Sequence, residues 1–419
     1  MESLWHDRNF KTIISANMLS HIGSGITMIG VPWYLVTMDN GERTLGLITL
    51  LSTILLFFLA PYVGVIIDRY SRVRIHRICD FIGFMTIGSF AIWGLSGGTF
   101  ETSHLMMLYL TGVLYYTVHY PTMFALNQEI FSSKVYGKLN SIMEIQGQAA
   151  SMLAGAVASI MIVHWGLSVI LLIDAITYIT AFFLFALIRY EPKVEPKDTT
   201  VKITAFSDMA EGWRFLKEKP LLIVFFLATM IPFLTIMITN YLFPIYVAKT
   251  LEAGPSVFAM NEVIYAIGAV LAGITIQRLT SRFGYLPMLL GMMTLFWFAI
   301  VSISLIQTVY IFLGMVIVLG WGNAGIRINR NTLLMEIVPN RLIGRINSFF
   351  AAIEKVFRVS LIAVFTATVH ETGASLSLLF QSFLILFAIF AIWGVRSVIN
   401  LSNESTSISN PAPKKLVVK

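Results

Sequence analysis

Gly64-Val65-Ile66-Ile67-Asp68-Arg69-Tyr70-Ser71-Arg72-Val73-Arg74 carries the densest charge of the first hundred residues. It lies between two apolar runs of about twenty residues each, the length needed to cross the hydrocarbon core of a bilayer. Charge concentrated in so short a segment marks a point where the chain leaves the membrane and turns back into it.

Working outward, composition points the same way. The 419 residues are 57% hydrophobic and only 12% charged, too little polar surface for a chain that folds in water. The fold class expected is therefore an all-α membrane protein. A single cysteine, Cys79, excludes a disulfide framework within the chain, and no Cys/His group has metal-ligand spacing. The net charge of +7 has no basic soluble domain to carry it to nucleic acid, so it marks loops on one membrane face. No Gly-x4-Gly-Lys-Ser/Thr run is present, and no nucleophile–base pair stands out. Neither an enzyme nor a bound cofactor is expected.

The apolar run from Phe10 to about Met38 is too long for a signal-peptide core and is expected to remain as a membrane span. Others follow near 44–67, 75–95, 104–129, 140–163, 166–189, 220–248, 256–277, 286–306, 308–335, 346–369 and 375–396, giving twelve. The expected division is residues 1–190 as a first six-helix half, 191–219 as a linker, 220–397 as a second half and 398–419 as a disordered tail. Within the linker Phe206, Met209, Trp213 and Leu216 share a helical face, as in an amphipathic helix at the membrane surface.

Cations set the orientation. With the N-terminus cytoplasmic, the inner segments hold Arg8, Lys11, Arg69, Arg72, Arg74, Arg77, Lys134, Lys138 and most of the remainder, while the outer loops hold only Arg43 and Lys249. Both termini are expected in the cytoplasm, on a multi-pass protein of the cell membrane.

An internal repeat organises the spans. Glu129-Ile-x6-Gly137-Lys138-x-Asn140-Ser141 recurs as Glu336-Ile-x6-Gly344-Arg345-x-Asn347-Ser348, a shift of about 207 positions. The opening turn recurs as well, Gly64 matching Gly273 and Arg69 matching Arg278, with Gln277 in place of Asp68. Two parallel six-helix halves joined by such turns resemble the major facilitator superfamily. Asp174-Ala-Ile-Thr, Glu262, Glu211-Gly-Trp-Arg-Phe-Leu and Pro339 to Gly344-Arg345 are similar to the branch holding bacterial macrolide-efflux proteins and siderophore exporters. Span four lacks the arginine of drug/proton antiporters, and span five lacks their Gly-Pro-x-x-Gly-Gly run.

The resemblance implies a central cavity lined by helices one, four, seven and ten, and a gate at Gly64, Asp68, Arg69 and Arg72, with Asp68 bracing helix eleven. Polar residues inside spans are costly in lipid and so are candidates for function. Asn17 and His21 share a face of span one, and Tyr109, Tyr116 and Tyr120 form a stripe on span four. Asp174, on an outer helix, is expected to be structural. Arg327, Arg330, Lys355 and Arg358 lie within spans ten and eleven, with Glu354 placed to pair with Arg358 at i,i+4. These cations suggest a positive cavity and an acidic solute. Glu354, Glu262 and Glu144 are the candidates for carrying a coupling proton. The function expected is proton-coupled export of an amphipathic small molecule (a drug, a macrolide or an acidic siderophore-like solute) by a monomer that uses no nucleic acid. The alternatives are a lipid or glycolipid flippase of the same fold and a membrane sensor that binds without transport.

Overall fold

Lipid offers no partner to an open backbone amide or carbonyl, so each apolar run must close its own hydrogen bonds as a helix. The computed structural model describes residues 4–131, 135–189, 213–214, 216–337 and 340–396. Most of the expected linker and the whole tail lie outside the described residues, as do the side chains of Asp68 and Glu144. The first half contains α1 (Arg8–Val36), α2 (Gly41–Arg69), α3 (Arg72–Leu95), α4 (Thr102–Ile130), α5 (Tyr136–His164) and α6 (Gly166–Ala186). The second contains α7 (Pro220–Ile245), α8 (Pro255–Phe283), α9 (Tyr285–Leu305), α10 (Val309–Ile337) and a long run, Asn340–Gly394. Gly373, at φ 75° and ψ 166°, breaks that run into α11 and α12 in a backbone region that only glycine enters freely.

Local chemistry sets several ends. The Phe10 amide donates to Asp7 Oδ1 at 3.1 Å and starts α1, and Ser71 Oγ accepts from the Arg74 amide at 3.5 Å to start α3. Pro220 and Pro255 open α7 and α8, where a missing amide hydrogen costs nothing. Beyond Pro244 the chain takes one π-helical turn, Tyr246–Thr250.

Among the described residues nine stretches are long and apolar enough to cross a membrane, and the last of them, Ala352–Gly394, holds both α11 and α12. α1 and α4 are as long as their neighbours, at 29 residues each, yet are not among the nine. Their polar side chains lower their hydropathy, and those side chains build the sites described below.

In the first half α3 lies against α6 and α4, and α1 against α5 and α6; in the second α8 lies against α10, and α9 against α10 and α12. The halves meet where α5 packs on α8 and α2 on α11. The start of α1, the end of α6, the start of α7 and the end of α12 share one end of the bundle, the terminal end. The α1–α2, α7–α8 and α11–α12 turns share the other, the distal end.

Close approaches between the halves gather toward the distal end. A Cβ on Gly155 would come within 2.8 Å of the Ala259 carbonyl oxygen, so only glycine lets α5 reach α8 there. Trp33 stacks on Phe258 with centroids 6.1 Å apart. His370 Nδ1 lies 2.9 Å from Glu42 Oε1, and the Tyr241 hydroxyl donates to the Glu42 carbonyl at 3.4 Å. The apolar core follows the same division. One cluster, with Trp33, Leu45, Tyr241 and Phe258, is continuous across both halves. Two others, around Phe10 and Phe185 and around Phe225 and Phe350, each belong to a single half.

Candidate substrate cavity and the polar cluster behind it

Beneath the Trp33–Phe258 stack lies a cavity of about 270 Å³ between the halves. α1 contributes Gly25, Met28, Ile29 and Pro32, α4 contributes Tyr109 and Tyr116, and α5 contributes Ser151 and Ala154. From the other half come Thr239, Asn240 and Phe243 of α7, with Phe258, Asn261 and Glu262 of α8. Aromatic faces thus alternate with hydroxyl, amide and carboxylate groups, the mixed lining that suits an amphipathic solute. Glu262 Oε1 accepts from Asn261 Nδ2 at 3.2 Å, and the Tyr109 hydroxyl shares a hydrogen bond with Thr49 Oγ1 at 3.2 Å. Helices one, four and seven line the cavity as the resemblance implied. Its described lining includes nothing from α10; α5 and α8 supply wall instead, because their glycine contact draws them together at this level.

Of the residues picked out by sequence, Tyr109, Tyr116 and Glu262 meet in this wall. Tyr120 does not join them. Its ring stacks on Tyr116 at 5.6 Å and it is 56% exposed. Asn17 and His21, expected beside the substrate, turn instead into the first half, where Asn17 meets α5 and α4 and His21 packs among the rings of α4. Asn17 Nδ2 donates to Gln146 Oε1 at 2.7 Å and its Oδ1 lies 2.7 Å from His119 Nε2, so both ends of the amide are engaged.

The cations expected to form one positive site do not converge on this cavity, whose described lining holds a carboxylate and no cation. Arg330 lines a second, smaller cavity of about 170 Å³ among α7, α10 and α11, together with Glu354, Phe226, Met230, Phe233, Leu334 and Phe350. Glu354 pairs with Arg358 at 3.5 Å, and Arg330 reaches Asn331 at 3.5 Å. Arg327, Lys355 and Arg358 are partly buried and belong to the lining of neither cavity. Asn323, one turn before Arg327 on α10, donates to the Tyr265 hydroxyl at 2.8 Å. At the terminal end Gly64 and Arg69 are exposed. Arg72 forms an ion pair with Glu129 at 2.7 Å.

Behind Tyr116, enclosed by α1, α3, α4 and α6, lies a polar cluster that sequence reasoning largely missed. Asp80 is wholly buried, and the Tyr115 hydroxyl donates to its Oδ1 at 3.0 Å. Tyr115 lies edge-on to Tyr178 at 4.8 Å, and Ser24 donates to the Tyr178 hydroxyl at 3.0 Å. His119 stacks on Tyr115 at 5.0 Å and packs against His76 at 4.7 Å and His21 at 5.6 Å. His76 lies flat on Phe185 at 4.5 Å. Since the Asn17 amide nitrogen is committed to Gln146, its oxygen must accept, which puts the His119 proton on Nε2 and leaves a lone pair on Nδ1. That Nδ1, both nitrogens of His76, His21 Nε2 and Asp80 Oδ2 are buried with no hydrogen-bond partner among the described residues. Asp174 is also buried and accepts from Thr177 Oγ1 at 3.4 Å.

Known proteins share this architecture. Macrolide efflux protein A of Streptococcus pyogenes is 22% identical over 274 residues, 63% of this chain. The chain spans 65% of that protein's length, just under two thirds. The staphyloferrin A transporter of Staphylococcus aureus is 22% identical over 317 residues, 72% of this chain and 75% of its own. Among solved structures, a mutant of the nucleoside transporter NupG superposes with a TM-score of 0.70 at 15% identity, covering 92% of this chain and 98% of that one. The Major Facilitator Superfamily family model matches residues 13–239 and again residues 227–418. Two six-helix halves, a cavity between them and a match to each half agree: the chain is a multi-pass membrane protein of the Major Facilitator Superfamily of transporters.

Proposed function

We propose that the protein is a secondary-active exporter of an amphipathic small molecule, working by alternating access and driven by protons. The observation that carries this reading is the cavity itself: it lies between two halves that close on each other at the distal end, and aromatic faces and polar groups share its wall. An export role is favoured by a relative named for macrolide efflux. The excess of Lys and Arg at the terminal end supports placing that end in the cytoplasm. The conformer described would then be closed to the outside. Glu262 puts a carboxyl group in a wall whose described lining holds no cation, which favours a neutral or amine-bearing solute over an acidic one at this site.

A second reading, a lipid or glycolipid flippase, is favoured by one feature. An apolar groove of about 490 Å³ runs among α7, α11 and α12, lined by Leu227, Ile231, Phe357, Phe380 and Phe387, with Glu354 also in its lining. Because Glu354 belongs to the second cavity too, an acyl chain could lie in the groove with its headgroup toward Arg330.

Proteoliposomes under an imposed pH gradient separate these readings. Gradient-driven accumulation of a macrolide supports export of a soluble solute. Transfer of a fluorescent lipid between leaflets, with no macrolide flux, supports the flippase. Tight binding with neither flux is the signature of a sensor.

A further inference from the structure

The polar cluster of the first half has no structural task proportionate to its cost. A carboxyl and three imidazoles within membrane-spanning helices are expensive, and a fully satisfied network would have removed much of that expense. Here five of their polar atoms are left without a partner among the described residues. Nor does a fixed charge hold the carboxyl, for no described cation forms an ion pair with Asp80. On α3, Arg77 lies over the Phe182 ring at 4.6 Å and Arg72 is taken by Glu129, while Cys79 is adjacent. α4 presents Tyr115 to Asp80 and stacks His119 on that Tyr115 ring, α6 presents Tyr178 with Asp174 beyond it, and α1 brings His21 against His119.

We propose that Asp80, with His119, His76 and His21, binds the proton whose passage drives export. The site deepens the proton-driven reading given above and rests on it. Sequence had assigned this role to Glu262, Glu354 and Glu144. In the loading step a proton from water enters through the imidazoles, of which His21 lies nearest the exposed ring of Tyr120, at 5.2 Å. It ends on Asp80 Oδ2, converting a carboxylate to a carboxylic acid. In the unloading step the same proton returns to water and the carboxylate is restored; no other bond changes. Tyr116 links the two sites. One side of it lines the solute cavity, and its ring lies 5.8 Å from His21 and 5.9 Å from Tyr115, whose hydroxyl holds Asp80. A solute pressing on Tyr116 therefore bears on the proton site without touching it.

The direct test needs no transported solute. Infrared titration of the purified full chain in detergent follows the carbonyl stretch of protonated carboxyl groups as pH is varied. The parent should show a titrating carboxyl that Asp80→Asn abolishes and Glu262→Gln leaves in place. Tyr115→Phe, which keeps the ring and removes the hydrogen bond, should move that titration along the pH axis and serves if Asp80→Asn does not fold. A signal unchanged in Asp80→Asn, or unmoved in Tyr115→Phe, overturns the site. Coupling is read in liposomes with a macrolide. Asp80→Asn should keep counterflow within about twofold and lose about tenfold or more of gradient-driven flux. Full gradient-driven flux in a folded Asp80→Asn variant overturns the coupling role. Parent flux indifferent to the pH gradient would overturn the proton-driven reading and the coupling role with it, while the infrared result still decides whether Asp80 binds a proton.

Discussion

Arg72 and Glu129 meet at 2.7 Å, joining the charged turn after α2 to the end of α4. These residues belong to the two sequence motifs that recur in the second half, so the motifs are physically one brace within the first half. Both side chains are mostly buried, at 16% and 9% exposure. Removing either partner should cost more than a surface pair would, about 1.5–3 kcal/mol for a hydrogen bond to a charged group.

For that brace, Glu129→Gln should loosen the α2–α3 turn and lower turnover severalfold while leaving solute affinity unchanged, since neither residue lines the cavity. A double-mutant cycle on turnover with Arg72→Ala checks it. Additive effects of the two substitutions would mean that the pair is incidental.

The distal closure depends on Trp33 stacked on Phe258. Such a ring pair contributes about 0.5–1.5 kcal/mol beyond its buried area, so Trp33→Ala should shift the population toward a distal-open conformer by about two- to tenfold. Spin labels at Asp39 and Glu252, on a Cys79→Ser background, report this as growth of a longer-distance population. An unchanged distribution would show that the stack does not hold the gate.

Gly155 allows a stricter test of the same gate. A side chain there meets the backbone oxygen of Ala259, which cannot rotate away. Gly155→Leu should therefore hold α5 away from α8, keep the protein membrane-inserted and abolish transport, with the labels reporting the distal-open state throughout. Normal transport by this variant would contradict closure through the α5–α8 contact.

Charge preference can be read from two substitutions. Glu262→Gln should weaken binding of an amine-bearing macrolide by about tenfold, the loss of one charge-assisted hydrogen bond, and leave a neutral solute unaffected. Arg327→Ala should leave the macrolide unaffected, since Arg327 is outside that cavity's lining. Should Arg327→Ala instead weaken an acidic solute while Glu262→Gln changes nothing, the acidic-solute expectation drawn from the cations returns. Equilibrium binding to the purified protein checks both.

Most of the fold was legible in sequence because it rests on hydropathy and a repeat, two signals that lipid enforces on every span. The span expected at 166–189 is α6, Gly166–Ala186, and the break expected between 369 and 375 falls at Gly373. The apolar span expected from 346 lies within a helix that runs back to Asn340, so the helix extends past the apolar stretch. The site was less legible. Periodicity places residues on a face but does not say which neighbour that face meets, so Asn17 and His21 were assigned to the cavity when α4 and α5 claim them. His76 and Asp80 were overlooked although they fall inside the span expected at 75–95, because hydropathy marks a span without showing which of its polar side chains are enclosed together. A signal was present all the same: His76, Asp80, Gly83, Ile87 and Ala91 recur at helical spacing, and they are buried residues of α3.

The most direct test of the central claim is macrolide flux in proteoliposomes holding the parent protein, measured with and without an imposed pH gradient and with a protonophore added. The expected result is accumulation against the macrolide gradient while the pH gradient lasts, collapse to equilibration when the protonophore is added, and loss of accumulation with retained counterflow in Asp80→Asn. Flux of equal size with and without the pH gradient would contradict proton-driven export through the cavity between the halves.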